Sequence, residues 1–171
     1  MQRPRRTGQV RPRNGAQVGA AGANDAVGVV GLADGTHSDR ADAHLVADAV
    51  GKGIPAALLM SFLRASLRSC VQIGYAPHIA FSKVSNLLRG SIKDNQFITA
   101  IYGMLDSTNR TFVFSNAGHN PPLLIKPDGE YRFVEYGDLP LGMFEDLHFH
   151  QHFIRFEENQ VLVIYTDGIT E

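Results

Sequence analysis

The sequence LVADAVG, residues 45–51, runs an apolar strand into Asp48 and then a glycine, and VIYTDG, residues 163–168, repeats this arrangement around Asp167. A buried strand holds its carboxylate still, and the glycine allows the backbone to turn away sharply. Two carboxylates fixed at strand ends suit a hard cation, because Mg²⁺ and Mn²⁺ prefer oxygen ligands on rigid supports. Aspartate and glycine are also common turn residues, so either segment alone is more often an ordinary exit from a strand.

The composition is that of one ordinary globular domain. The chain has 171 residues, of which 44% are hydrophobic and 19% are charged, and this is enough to bury a sizeable core. The formal net charge of -1 argues against a nucleic-acid partner. Cys70 is the single cysteine, which excludes an internal disulfide and predicts a reducing, cytoplasmic compartment, with the thiol packed in the core. No run of 18 or more residues is entirely apolar, so we expect no association with a membrane.

The beginning of the chain differs from the rest. It carries five arginines with no acidic residue before Asp25, and its other residues are mostly small. Such a segment cannot bury enough surface to offset the entropy lost on ordering. We therefore predict a disordered basic tail over residues 1–27 and a folded domain over residues 28–171.

Helical periodicity follows residue 53. Four apolar residues recur at every fourth position: Leu59, Leu63, Leu67 and Val71. They predict an amphipathic helix over residues 55–72 that begins at a proline and ends at Gly74. A second helix is predicted over residues 78–88, with four side chains turned inward: Ile79, Val84, Leu87 and Leu88.

From residue 97 the pattern changes to that of strands. Residues 97–105 are apolar on both alternating faces, so both faces should be covered. Turn residues separate further expected strands at 111–115, 123–125, 131–134, 148–156 and 160–165. Two helices followed by about six hairpin-linked strands predict an α+β domain with two packed antiparallel sheets and helices outside.

Five short motifs follow one another along residues 46–171. They are DAVGKGIPAALLM at 48–60, FITA at 97–100, NAGHNPP at 116–122, PLG at 140–142 and YTDGITE at 165–171. Each motif is weak alone, but together and in this order they resemble the SpoIIE/RsbU-type branch of the PPM (PP2C-like) metal-dependent serine/threonine protein phosphatases. The resemblance implies an α-β-β-α sandwich of antiparallel sheets flanked by helices.

The resemblance also implies a site that holds two ions of Mn²⁺ or Mg²⁺. Carried over to this chain, Asp48 would bridge both ions, the backbone carbonyl of Ala49 would bind one, and Asp167 would bind the other. Asp48 and Asp167 would thus be the catalytic carboxylates of a hydrolase in which a metal-activated water attacks phosphorus. The implied substrate is phosphoserine or phosphothreonine on a regulatory protein, such as a phosphorylated anti-sigma-factor antagonist in a partner-switching pathway.

Two parts of the family pattern have no counterpart in this sequence. The G-G-D-x-x-D segment expected upstream of Asp48 is missing, and the only acids nearby are Asp25, Asp34, Asp39 and Asp42. The sequence also stops at Glu171, before the family's next helix, strand pair and last metal-binding aspartate. We therefore expect weak Mn²⁺ binding and slow or absent hydrolysis from an incomplete domain. The alternative is a non-catalytic binding module or a gene fragment that keeps the fold.

Other residues suggest chemistry that we do not assign to them. His119 could act as a general acid or a metal ligand, but its position in a Gly- and Pro-rich turn favours a structural role. His148, His150 and His152 alternate and could present three imidazoles to Zn²⁺, although such a face is more often simply exposed to solvent. Lys52 could contact phosphate, but the P-loop pattern is absent.

Overall fold

The structure is a computed structural model that describes residues 27–31, 42–51, 53–92 and 96–166. Three of the predictions made above fall outside these ranges: the disordered tail over residues 1–26, the contact of Lys52 with phosphate and the position of Asp167. They remain predictions. Val27, which was assigned to the tail, is the first residue of a strand.

The elements follow the predicted order of helices and then strands. After β1 (Val27–Gly31) come β2 (Asp42–Ala49), α1 (Ile54–Ile73), α2 (Pro77–Arg89), β3 (Ile98–Asp106), β4 (Thr111–Ala117), β5 (Leu123–Ile125), β6 (Tyr131–Phe133), β7 (His152–Arg155) and β8 (Val161–Val163). The strands form a five-stranded sheet in the order β1-β2-β3-β4-β7 and a three-stranded sheet in the order β6-β5-β8. All strand pairs in both sheets are antiparallel, as predicted.

Helix α1 forms where its apolar periodicity predicted it. Gly53 precedes the helix, and Gly74 ends it in the left-handed conformation with φ 84. Leu63 and Leu67 are fully buried, whereas Leu59 and Val71 lie at the border of the core. By length and composition alone this helix could cross a membrane, but here its buried stripe packs on β2 and α2.

Helix α2 has a different inward face from the one predicted. Val84 and Leu88 are buried as expected, but Ile79 and Leu87 are exposed. The remaining buried residues of this helix are Pro77, Ala80, Phe81 and Ser85. The prediction for Ile79 and Leu87 was wrong because it followed hydrophobicity, whereas the rotation of the helix is set by the fit of the Phe81 ring against Tyr102 of β3.

The five-stranded sheet is covered on both faces, as the apolar pattern of residues 97–105 predicted. One face packs on the helices through side chains that include Leu45, Ala47, Ala100 and Tyr102. The other face packs against the three-stranded sheet, and its core holds Ile101, Phe112, Phe114, Leu124, Val134 and Ile154. The described layers are therefore helix, sheet and sheet.

The last two strands do not form the predicted hairpin. β7 pairs with β4 in the five-stranded sheet, while β8 pairs with β5 in the other sheet. β7 is also shorter than predicted, because residues 148–151 are held by side-chain contacts instead of by strand pairing. The connections β4–β5, β6–β7 and β7–β8 therefore cross between the sheets, a feature that local turn patterns do not encode.

The buried stripe of α1 gives a stability prediction. Leu63→Ala should lower the free energy of unfolding by about 2–5 kcal/mol, because it opens a cavity in a closed core. The matched control is Leu58→Ala on the same helix, where the side chain is 65% exposed and the loss should stay within about 0.5 kcal/mol. Urea titration measures both values, and equal losses would contradict the packing of α1.

Tyr102 gives a second stability prediction. Its ring is fully buried, and its hydroxyl finds no hydrogen-bond partner among the described residues. Burial, with a smaller contribution from the Cys70 thiol, raises the pKa of Tyr102 to about 12. Tyr102→Phe should therefore increase stability near neutral pH by about 1 kcal/mol, because a buried hydroxyl without a partner is removed.

The raised pKa of Tyr102 also sets a pH dependence. Above pH about 10 the unfolded chain releases the phenolic proton while the folded chain keeps it, so stability falls as the pH rises towards 12. Tyr102→Phe should flatten this fall, whereas Tyr131→Phe, at an exposed tyrosine, should leave it unchanged. Thermal melts between pH 8 and 11.5 make the comparison, and parallel curves for all three proteins would contradict the prediction.

Candidate active site

Asp48 lies near one end of the five-stranded sheet, on the side facing the three-stranded sheet. Its neighbours Ala47 and Ala49 point into the helix-side core, so the alternation of the strand turns Asp48 to the opposite face. The side chain is half-buried, and Asp48 is paired directly with Thr99 of β3. Asp48 therefore lies within β2, one residue before the strand ends, and not just after the strand.

The backbone after Asp48 is fixed by the second and fourth motifs. The Val50 N–H donates to the carbonyl of Phe97 at 3.1 Å, and Gly51 turns the chain away with φ 114. Ile98 and Leu141 then exchange two backbone hydrogen bonds of 3.1 and 2.8 Å. The DAVGKG, FITA and PLG motifs thus meet at one end of the sheet.

The third motif is where the chain crosses from one sheet to the other. Gly118 adopts φ +67, and a Cβ placed there would lie 2.9 Å from Cγ of Pro140. Glycine is required at this position both by the left-handed backbone and by the close approach of the proline ring. The turn is thereby fixed against the PLG motif, in agreement with a structural role for this loop.

His119 is buried and forms hydrogen bonds through both of its ring nitrogens. Thr99 Oγ1 lies 2.9 Å from Nδ1, and the carbonyl oxygen of Tyr165 lies 3.1 Å from Nε2. A carbonyl can only accept, so Nε2 carries the proton and donates to Tyr165. In the neutral ring Nδ1 then accepts from the Thr99 hydroxyl. One imidazole therefore connects β3 to the segment that follows β8.

Asn116 holds the backbone of His119 in place. Its Oδ1 accepts from the His119 N–H at 2.8 Å, and its Nδ2 donates to the carbonyls of His119 at 3.1 Å and Tyr136 at 2.7 Å. The Asn116 carbonyl accepts from the N–H of Asp138 at 2.8 Å. The buried polar groups of this crossing are thus paired with each other, as burial requires.

The predicted site residues have different outcomes. Asp48 and Ala49 lie at the end of β2, where the motifs converge. Asp167 is outside the described residues, but Tyr165, two positions before it, is bonded to His119. Thr99 and Asn116 were missed as functional candidates, although both lie inside the motifs that carry the resemblance. Their polar side chains in otherwise apolar strands were the available signal.

The three alternating histidines do not form a metal site. His150 pairs with Asp138, whose carboxylate accepts from Nδ1 at 2.7 Å and from the backbone N–H at 2.8 Å. His152 instead stacks on Tyr136 with ring centroids 4.3 Å apart, and burial lowers the pKa of its imidazole. Within residues 42–51, 53–92 and 96–166, no three His, Cys, Asp or Glu side chains could hold a metal ion together. The three-imidazole alternative is therefore wrong.

The donor chemistry around Asp48 fits Mn²⁺ or Mg²⁺. The described donors at this end of β2 are oxygens, the carboxylate of Asp48 and the main-chain carbonyl of Ala49, and hard cations prefer oxygen. The free thiol of Cys70 lies in the core on the other face of the sheet. A complete ligand set needs at least one more carboxylate, for which Asp167 is the candidate supplied by the sequence.

Comparison with known proteins assigns the family. The family model "Stage II sporulation protein E (SpoIIE)" matches residues 38–171, so the chain belongs to the SpoIIE family. Among curated relatives, the phosphoserine phosphatase RsbU of Bacillus subtilis is 29% identical over 127 residues, covering 74% of this chain and 38% of RsbU. The phosphoserine phosphatase RsbP of the same organism is 28% identical over 131 residues, covering 74% of this chain and 32% of RsbP. The chain thus spans about a third of the length of these two relatives.

Solved structures confirm the fold class. The RsbU and RsbW domains of a Mycobacterium tuberculosis protein superpose with a TM-score of 0.70 at 32% identity, covering 88% of this chain and 41% of that one. The PP2C phosphatase domain of SpoIIE from Bacillus subtilis superposes with a TM-score of 0.69 at 19% identity, covering 85% and 41%. The predicted PP2C-like arrangement of antiparallel sheets and helices is therefore confirmed, as is the resemblance drawn from the five motifs.

The hydrogen bonds of Asn116 give a prediction about the site's framework. Asn116→Ala should lower the free energy of unfolding by at least about 2 kcal/mol, because each buried polar group left without a partner costs about 1–3 kcal/mol. The control is Asn109→Ala, which removes the exposed side-chain bond to Asp106 and should cost less than about 1 kcal/mol. Urea titration compares the variants, and similar losses would show that the crossing does not depend on Asn116.

Proposed function

We propose that this chain is the catalytic part of a PP2C-type phosphatase that hydrolyses phosphoserine or phosphothreonine on a regulatory protein with the aid of Mn²⁺ or Mg²⁺. The observation that carries the proposal is the convergence of the family's motifs on Asp48, through the contacts of Val50, Leu141 and His119. The relatives named as phosphoserine phosphatases support the reaction class.

In this mechanism Asp48, the carbonyl of Ala49 and Asp167 would hold the metal ions. When bound, two divalent ions neutralise the phosphate and supply hydroxide from a bound water near neutral pH. β2 keeps the Asp48 carboxylate half-buried and still, because it is paired with strands on both sides. The half-buried position also strengthens the attraction of this carboxylate for a cation by limiting its contact with water.

A covalent mechanism through cysteine is not supported by the structure. Cys70 is buried in the helix-side core, on the face of the sheet opposite to Asp48. Burial raises the pKa of its thiol, so the reactive thiolate is disfavoured. Its sequence-based interpretation as a packing residue is confirmed. The nucleophile that remains compatible with the site is water.

The substrate class follows from the resemblance and from the relatives. We expect a phosphorylated regulatory protein, such as an anti-sigma-factor antagonist, since a partner-switching phosphatase acts on a phosphoserine or phosphothreonine of a folded partner. The site lies at the end of the sandwich, where Gly51 and Gly53 are exposed beside Asp48. A phosphoryl group on a protein surface can approach such an open end.

The direct test is release of phosphate from p-nitrophenyl phosphate and from a phosphoserine peptide, with and without Mn²⁺. We expect slow Mn²⁺-dependent hydrolysis that Asp48→Asn lowers at least about 100-fold, since a negative charge that would hold the metal is lost. The matched control is Asp42→Asn at the other, exposed end of β2, which should retain wild-type activity. Mn²⁺ binding without any hydrolysis would favour the non-catalytic binding module instead.

The position of Asp167 gives a structural prediction. In crystals soaked with Mn²⁺, the carboxylates of Asp48 and Asp167 should lie within about 4–7 Å of each other, the span that two ions about 3.5–4 Å apart allow. Anomalous difference density at the manganese edge identifies the ions. Carboxylates at opposite ends of the sandwich would refute the assigned site.

A further inference from the structure

The side chain of His119 lies where the two sheets meet next to Asp48. The chain leaves the five-stranded sheet at Ala117 and enters the three-stranded sheet at Leu123, and His119 is in the connection between them. Nδ1 of the ring contacts the hydroxyl of Thr99 in the five-stranded sheet. Nε2 contacts the carbonyl of Tyr165, two residues after β8 of the three-stranded sheet. The imidazole thus spans the gap between the sheets.

Each residue that contacts this ring is near a proposed metal ligand, Thr99 through strand pairing and Tyr165 through its position in the sequence. Thr99 is the direct cross-strand partner of Asp48. Tyr165 precedes Asp167 by two residues in the sequence. The Thr99–His119–Tyr165 bridge holds the segment after β8, as far as Tyr165, at a fixed distance from the strand paired with the strand of Asp48.

We propose that His119 is a positioning residue for the proposed metal site: by accepting from Thr99 and donating to the Tyr165 carbonyl, it holds the segment after β8 in place beside the end of β2 that carries Asp48. This inference rests on the proposed function. It assigns no contact between His119 and substrate or metal, and it differs from a purely structural role because it predicts a loss of metal affinity in variants that remain folded.

The bridge is rigid enough for this role. His119 is 7% exposed, and Asn116 pairs with both its N–H and its carbonyl, so neither its backbone nor its ring can shift freely. Thr99 is β-branched and lies in a central strand, which restricts its rotamer. Ligands of a metal site must be held within about 0.5 Å of their productive geometry, and such precision requires supporting hydrogen bonds of this kind.

The test begins with Thr99→Val, which removes the donated hydrogen bond while keeping the shape of the side chain. Mn²⁺ dissociation constants are measured by electron paramagnetic resonance, together with melting temperatures and Mn²⁺-activation curves for phosphate release. We expect the dissociation constant to rise about tenfold or more, as for other residues that orient metal ligands. The melting temperature should fall by only a few degrees with the lost hydrogen bond, the protein should stay folded at the assay temperature, and hydrolysis should recover at high Mn²⁺.

Two controls separate positioning from general stability. Thr111→Val makes the same change at the far end of the sheet, where the hydroxyl bonds only the Asn109 carbonyl among the described residues, and should leave Mn²⁺ affinity unchanged. Thr99→Ser restores the hydroxyl donor and should restore most of the affinity. An unchanged Mn²⁺ affinity in Thr99→Val would overturn the inference while leaving the proposed function intact. Absence of Mn²⁺ binding by the wild-type chain would overturn both.

A second measurement tests the ring itself without metal or turnover. Nitrogen-15 spectra of the histidines should show the His119 proton on Nε2, since the Tyr165 carbonyl can only accept. His119→Asn keeps an amide near the position of Nδ1 but cannot reach Tyr165, so it should weaken Mn²⁺ binding like Thr99→Val does. His78→Asn, which loses a contact with Gln151 at the far end of α2, serves as its control. A proton on Nδ1 would contradict the proposed bridge.

Discussion

The passage of the chain from one sheet to the other at residues 116–122 is the constraint on which the site depends. A crossing connection buries backbone groups that no strand can pair, and each unpaired group would cost stability. The Asn116 side chain provides these partners: it forms hydrogen bonds with the N–H and the carbonyl of His119 and with the carbonyl of Tyr136. The residues that satisfy the crossing are therefore the same residues that hold the two sheets together beside Asp48.

The rest of the fold supplies a rigid base for that end of the sandwich. The five-stranded sheet is packed on both faces, so β2 and β3 cannot bend without opening one of two cores. Close packing extends to Gly103, where a Cβ would lie 2.4 Å from the Phe112 ring. A carboxylate on such a strand keeps its position, which a two-metal hydrolase needs and a flexible loop could not provide.

In the structure, the cysteine and the alternating histidines, which could have served as a nucleophile or as metal ligands, are not part of the candidate site at Asp48. Cys70 lies on the helix side of the sheet. His150 is hydrogen-bonded to Asp138, and His152 stacks on the ring of Tyr136. Three histidines at alternating positions did not converge because only His152 lies in a regular strand. His150, just before the strand, bonds to the neighbouring loop instead.

The sequence was sufficient for whatever depends on neighbours along the chain. The period of four residues in α1, the two apolar faces of β3 and the glycines that end strands and helices all reflect local geometry. The family motifs supplied the candidate site carboxylates, whose role stays a prediction. The face of α2 was misjudged, because Ile79 and Leu87 are apolar yet lie away from the core.

Only the tertiary structure decided which distant segments meet. β7 and β8 belong to different sheets because each pairs with a strand that is distant in the sequence. A short stretch of sequence does not contain the information for such pairing. The bridge from Thr99 through His119 to Tyr165 joins residues up to 66 positions apart in the sequence, the difference between 165 and 99. Its hydrogen bonds form because these polar groups are buried between the two sheets and need partners within the protein, and burial is a property of the folded chain.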